Sequence, residues 1–318
     1  KKELDKILSR GEKRAFIILQ FLFEMESRKL LKHDTIVVMD DIADSFDYQN
    51  KYAIVEYIKD LSESQNIYLL ILTHNYDFYR TLTSRLSLKG DSLWMVELSS
   101  DNSVVLHSGQ YRGNVFAKAF VGKDEDDKIF ISMIPFVRNL IEYTKGVNSA
   151  EYSTLTNCLH HKKDTKDITD REVMDILKDY TLGKGLKRQS SDKKIYSLIM
   201  SVAESIVNEE NPHPILIENK IVLSIGIRHL AENYMHDKII STGKSEEDLV
   251  VSGNQTGKWT GLYKKCCPDD VNKVIIEKVN MMTPEIIHIN SFMFEPLIDM
   301  SVSHLIALYK KCKEHLVI

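Results

Sequence analysis

Two aspartates, Asp40 and Asp41, close the apolar run Thr35-Ile-Val-Val-Met39, and His74 follows a second apolar run, Asn66-Ile-Tyr-Leu-Leu-Ile-Leu-Thr73. A carboxylate fixed at the C-terminal edge of a buried strand is one way to hold Mg2+ beside a nucleotide, and a neighbouring carboxylate can orient an attacking water. A histidine just past a strand end can reach a terminal phosphate or that water. Upstream, Leu8-Ser9-Arg10-Gly11-Glu12-Lys13 is a short serine–glycine turn ahead of an amphipathic stretch. Backbone N–H groups and the positive dipole end of such a helix N-terminus suit a phosphate. Asp44-Ser-Phe-Asp47 lies between the aspartates and the histidine. Taken singly, an Asp-Asp or Thr-His pair is more often a charged or structural loop. The ordered set carries the weight.

The elements that must position these residues follow from periodicity. Residues 14–31 carry Phe16, Leu19 and Phe23 at helical spacing, as do Ala53, Val55, Ile58 and Leu61 between residues 50 and 62. Strand, helix, strand is a βαβ unit, whose crossover is right-handed. Residues 92–98 and 103–107 alternate like antiparallel strands around Ser99-Ser-Asp-Asn102. Gly122-Lys-Asp-Glu-Asp-Asp127 is a charged stretch and the expected domain boundary. Beyond it, helical periodicity dominates, with helices expected near 127–145, 150–161, 171–181, 192–209, 216–236, 270–281 and 300–315. Gly183-Lys-Gly185 and residues 253–261 read as loops.

The four elements in this order resemble the C-terminal lobe of an ABC-type ATPase head of the SMC and recombination-repair branch, over about residues 4–85. The resemblance implies ATP and Mg2+ as cofactors. Ser9, Gly11 and Glu12 would belong to the signature motif, Asp40 would be the Walker B magnesium residue and Asp41 the catalytic carboxylate. Asp47 would lie in the D-loop, and His74 would be the switch histidine. The second aspartate, where most such proteins carry glutamate, departs from the pattern and bears on hydrolysis rate.

A P-loop needs G-x-x-x-x-G-K-[ST] to wrap a phosphate with backbone amides. Thr242-Gly-Lys-Ser245 has Lys238 where the first glycine belongs, and the run from Gly253 to Gly257 and Lys258 is one residue short and enters Trp259. Neither follows a buried strand. The expectation is therefore a C-lobe completed by a missing N-terminal ATPase lobe, with weak ATP binding on its own and head-to-head homodimers or higher homo-oligomers as the working form. The opening Lys-Lys-Glu-Leu-Asp is in keeping with the interior of a longer protein.

In the helical half, Arg138 and Glu142 share a helix face at i, i+4, and His160 and His161 follow before Lys162 and Lys163. This is similar to the effector region of the PrrC and RloC anticodon nucleases. The resemblance implies Arg138, Glu142 and His160, with His161 interchangeable, as a metal-free RNA-cutting set. A histidine would move the proton of a ribose hydroxyl and an arginine would stabilise the crowded phosphate. The plainer reading is a helix-surface ion pair worth a few tenths of a kcal/mol. Arg228-His-Leu-Ala-Glu232 repeats the spacing with His229 and His236 nearby, and His288 comes later. Residues 290–296, Asn-Ser-Phe-Met-Phe-Glu-Pro, read as an aromatic plug.

The 318 residues are a prior of about two domains. Forty-two basic against forty-six acidic residues, net charge -4, exclude a uniformly basic nucleic-acid coat. The four cysteines contain no CxxC pair, and no apolar run is long enough for a membrane span. A reducing cytoplasm is the default. The expected fold is an α/β ABC-type ATPase C-terminal lobe, residues 1–121, followed by an all-α effector or assembly domain, residues 122–318. The expected function is a bacterial anti-phage ATPase that acts as, or controls, a tRNA-directed RNase. The rivals are an ATPase scaffold for a partner nuclease and an SMC-like DNA-repair ATPase.

Overall fold

The computed structural model describes residues 9–42, 48–98, 103–111, 113–210, 212–213, 216–251, 254–282 and 301–317. It divides into two compact units, Lys1–Leu93 and Trp94–Ile318.

In the first unit, α1 (Arg10–Leu31) leads into β1 (Thr35–Asp40), α2 (Tyr48–Ser62), β2 (Ile67–Leu72) and α3 (Tyr76–Arg85). The two strands pair in parallel, with Thr35 opposite Ile67 and Asp40 opposite Leu72. Val37 and Met39 point into a core with Ile54, Ile58 and Leu61 of α2 and Phe78 of α3. Each such side chain contributes about 1.5–3 kcal/mol when fully buried. Asn66 ties the turns together, its Nδ2 donating to the carbonyls of Arg28 and His33. The alternate strand positions Ile36, Val38, Tyr68 and Leu70 lie half or more exposed. α1 begins four residues earlier than its apolar spacing predicts. Ser9 accepts the first helical bond, from Lys13 N to its carbonyl at 3.0 Å, and Ser9 and Glu12 have the spacing of a capping box. Gly11 and Glu12 therefore belong to the first helical turn, not to a preceding loop.

The second unit opens with an antiparallel hairpin, β3 (Trp94–Leu98) and β4 (Val104–Ser108), with Leu98 opposite Val104 and Trp94 opposite Ser108. Its helices are α4 (Asp127–Thr144), α5 (Ala150–Leu159), α6 (Asp170–Leu177), α7 (Ile195–Val207), α8 (Ile217–Ser241), α9 (Gln255–Cys266), α10 (Lys273–Met282) and α11 (Val302–His315). The charged stretch before α4 is structural. Asp124 is fully buried and accepts from the backbone N–H groups of Lys187 and Arg188, while Asp126 caps α4 through Lys128 N and Ile129 N. α8 is buried around most of its circumference, as a central helix must be, and packs on α4, α5, α7, α9, α10 and α11.

Several boundaries differ from the expectations. α5 ends at Leu159, so His160, in extended backbone, and His161 lie beyond the helix. α8 runs on to Ser241, where Gly243 stops the chain at φ 87°. The largest correction is α9, a three-turn helix within the glycine-containing stretch that reads as a loop. The Asn254 side chain accepts from Gly257 N at 2.8 Å and starts it, and Trp259 and Tyr263 bury its inner face. Gly253, His288 and the aromatic plug at 290–296 lie outside the described residues, as do Asp44 and Asp47.

Helix packing is tightest at Gly226 of α8. A Cβ there would sit 3.1 Å from Cε2 of Tyr309 and 3.2 Å from Cβ of Ala203, on α11 and α7. Gly226→Val should therefore destabilise the helical unit by about 1–3 kcal/mol through overpacking, despite the loss of a glycine from a helix. Chemical denaturation followed by circular dichroism reads this directly, and a variant as stable as wild type would mean the three helices separate freely.

Candidate functional site

In the first unit the parallel strand pair fixes the candidate nucleotide residues. Asp40 ends β1 with its side chain exposed, and the next residue turns out of the strand with φ 45°, a left-handed conformation that aspartate tolerates better than most residues. The turn is held on both sides. Asp41 N donates to Leu72 O at 3.0 Å, and Asp41 Oδ1 accepts from His74 N at 3.1 Å. The His74 ring closes the arrangement, with Nδ1 2.8 Å from the same carboxylate oxygen. An ionised carboxylate only accepts, so Nδ1 carries the proton and Nε2 is the acceptor. Both side chains remain open to solvent, His74 at 61% and Asp41 at 43%. Downstream, Asn75 caps α3 through Phe78 N, which anchors the segment carrying His74.

The strand-end aspartate and the strand-end histidine are thus brought together, while Ser9, Gly11 and Glu12 sit at the N-terminal end of α1. Among the described residues, no group of three or more histidine, cysteine or acidic side chains could hold a metal by itself. A single exposed carboxylate at Asp40 nonetheless fits Mg2+, which binds nucleotide sites through one or two carboxylates, the substrate phosphates and water.

The second unit arranges its charged residues differently from the expected triad. Arg138 is buried and its donors are distributed locally. Nε bonds Thr156 Oγ1 at 3.0 Å, Nη1 bonds Asn139 Oδ1 at 3.1 Å and Glu142 Oε2 at 3.4 Å, and Nη2 bonds the Tyr152 hydroxyl. The guanidinium also lies 4.3 Å from the Tyr152 ring centroid. Arg138 and Glu142 therefore meet. The His160 ring turns to a different acid, with Nδ1 2.7 Å from Glu232 Oε1.

Glu232 belongs to the second Arg-x-x-x-Glu set and is fully buried. Four groups converge on its carboxylate. His160 Nδ1 and Thr256 Oγ1 reach Oε1, each at 2.7 Å, and His161 N and Gln255 Nε2 reach Oε2, each at 2.8 Å. Burial alone would raise the Glu232 pKa, but His160, Arg228 one turn earlier and Thr256 overcome it and hold the acid at about 2. Burial pushes the His160 pKa down against the pull of Glu232, so the pair is best described as a carboxylate accepting from a neutral ring. His229 is also buried, but its ring bonds a backbone carbonyl rather than the acid. Its Nε2 donates to Cys158 O at 2.9 Å, and burial pushes its pKa down to about 4. The sequence shows the Arg228/Glu232 set but not its link to His160, because Gln255 and Thr256 come from the unexpected helix α9.

No helix among the described residues is long and apolar enough to cross a membrane. Residues 1–170 match the family profile described as an AAA domain. Two curated sequences, both an uncharacterized chromosomal cassette SCCmec type IVc protein and both from Staphylococcus aureus, one of them from strain MRSA252, are 33% identical over 101 residues. The match covers 30% of this chain and 14% of each relative, so the chain spans a small part of the length of the curated relatives it matches. No solved structure matches.

The protonation states set a pH dependence. Glu232 has its pKa depressed from 4.5 to about 2, so its contribution is complete above pH 4.5 and is lost as the pH falls towards 2. His229, depressed from 6.5 to about 4, contributes fully above pH 6.5 and loses that contribution as the pH falls to about 4. Both act in the same direction, so denaturation midpoints should fall on acidification. Glu232→Gln should cost about 3–5 kcal/mol near neutral pH by leaving the converging donors without their charge, and should remove the part of the acid loss below pH 4.5. A variant with unchanged midpoint and pH profile would show that Glu232 does not hold these helices together.

Proposed function

The chain belongs to the AAA domain family, and from that premise we propose that residues 1–121 form the C-terminal lobe of an SMC-like, ABC-type ATPase head joined to a helical assembly domain. The Asp41–His74 pair carries this reading. A carboxylate and an imidazole share a proton position at adjacent parallel strand ends, exposed to whatever binds there. Asp40 would hold Mg2+, which supplies charge neutralisation to the phosphates when bound with ATP. Asp41 would orient the attacking water and take up its proton, and His74 would keep that carboxylate in place through Nδ1 while its other ring nitrogen faces the reacting group. Ser9, Gly11 and Glu12, in the first turn of α1, would present backbone N–H groups to a nucleotide held by a second head.

The outward face of the strand pair, with Ile36, Val38, Tyr68 and Leu70, supports a larger sheet or covering layer completed by a phosphate-binding lobe. In this reading ATP brings two heads together and the helical part responds.

For the helical part, the engagement of Arg138 with Tyr152 and Thr156, and of His160 with buried Glu232, favours a domain that docks and regulates a separate nuclease over one that cuts tRNA itself. Purified full-length protein, Arg138→Ala and His160→Ala compared on bulk tRNA and duplex DNA decide between them. The docking reading expects no cutting by wild type alone, and RNA cleavage lost in both variants would reinstate the triad. For the motor, Asp41→Asn in the full-length protein should lower ATP turnover by about 100-fold or more and accumulate an ATP-bound dimer on size exclusion. Unchanged turnover removes the assignment of Asp41.

A further inference from the structure

Above Glu232, within the second unit, lies a half-open cavity of about 750 Å³, inside the range of small-molecule sites. Its lining carries two kinds of chemistry. One is basic, from Lys162, Lys163 and Lys166 on the segment that follows His160 and His161. Burial pushes the Lys162 pKa down, against the opposing pull of the Glu232 carboxylate. Among the lining residues Glu246 is the one carboxylate, and it is already 3.0 Å from His236 Nε2.

The other is aromatic. The His161 and His236 rings lie 4.4 Å apart, and Trp259 is 5.8 Å from the first and 6.1 Å from the second. These rings are fixed. Trp259 Nε1 donates to Leu249 O at 2.9 Å, and His161 Nδ1 is hydrogen-bonded to Asn233 Oδ1. Gln255, 4% exposed, also borders the cavity; its amide nitrogen is used on Glu232 and on His161 O, and its Oε1 is buried beneath the surface.

We propose that this cavity binds a nucleoside phosphate, with the lysines on the phosphate and the base against the His161 and His236 rings beside Trp259. Lysine serves a phosphate as a mobile point charge, and flat rings accept any base face. Free nucleotides and the terminal nucleotide of a nucleic acid share this chemistry. The site is separate in sequence from Asp40, Asp41 and His74, so its test does not depend on the ATPase assignment.

The chain contains two tryptophans, so Trp94→Phe leaves Trp259 as the sole reporter. In that background, AMP should quench Trp259 saturably, and adenosine or inorganic phosphate should bind about tenfold or more weakly than AMP. Lys162→Ala with Lys166→Ala should weaken AMP by roughly tenfold or more with an unchanged circular dichroism spectrum, while Asp41→Asn should leave it unaltered. Competition by a 5′-phosphorylated oligonucleotide would assign the site to nucleic-acid ends, and its failure to compete would assign it to free nucleotides. No saturable quench by AMP, phosphate binding as tightly as AMP, or AMP affinity indifferent to the lysine changes overturns the proposal.

Discussion

The helical unit is organised around one buried charge. Glu232 sits on the central helix α8, and the groups that satisfy it come from the turn after α5 and from the first residues of α9. A carboxylate in such a place is costly unless every lone pair is used, and removing one partner leaves the cost without its compensation. The arrangement therefore constrains position strongly. The backbone N–H of His161 can reach Oε2 only if α5 stops at Leu159 and the chain turns extended at His160. Gln255 and Thr256 can reach it only if α9 begins immediately after Asn254. Thr165 then closes the turn by bonding the His160 carbonyl at 2.6 Å. The ends of two helices are set by one acid on a third.

The first unit depends on register instead. Parallel pairing places Asp40 opposite Leu72, so Asp41, directly after β1, and His74, two residues after β2, emerge at the same edge. A slip of one residue would turn Val37 and Met39 out of the core and carry Asp41 away from Leu72 O. Burial of those side chains against α2 and α3 thus holds the geometry of the candidate hydrolytic pair, with Asn75 securing the far side as the cap of α3.

How much of this the sequence discloses depends on how local each interaction is. The strands are legible because apolar and β-branched residues run unbroken between polar turns, and the aspartates and histidine at their ends follow from the same runs. α4 and α8 are legible because their apolar content persists over many turns. α9 is not, since Gly257 and Gly261 lower helix propensity and the face it buries includes Gln255, Thr256 and Thr260, which look like solvent residues. Its helicity comes from the Asn254 cap and from packing against α8. The partner of His160 is hidden for a related reason. Glu232 is 72 positions away, whereas Glu142 is on the neighbouring helix and matches a known spacing. Periodicity can show that Arg228 and Glu232 share a face, but not which histidine crosses to meet them.

The same kind of pair, an imidazole against a carboxylate, has opposite consequences at Asp41–His74 and at Glu232–His160. At Asp41 and His74 both partners are well exposed, so a ligand can reach both. At Glu232 and His160 the side chains are 0% and 10% exposed, the acid is saturated with donors and its proton affinity is driven far from neutrality. A group whose protonation cannot change near pH 7 is a poor acid or base, and one enclosed by four donors has no lone pair directed at a substrate. Solvent access, more than residue identity, separates the candidate reactive pair from the pair that holds helices in place. The same criterion directs attention above Glu232, where lysines and histidine rings line a half-open cavity and the acid beneath them serves as their foundation.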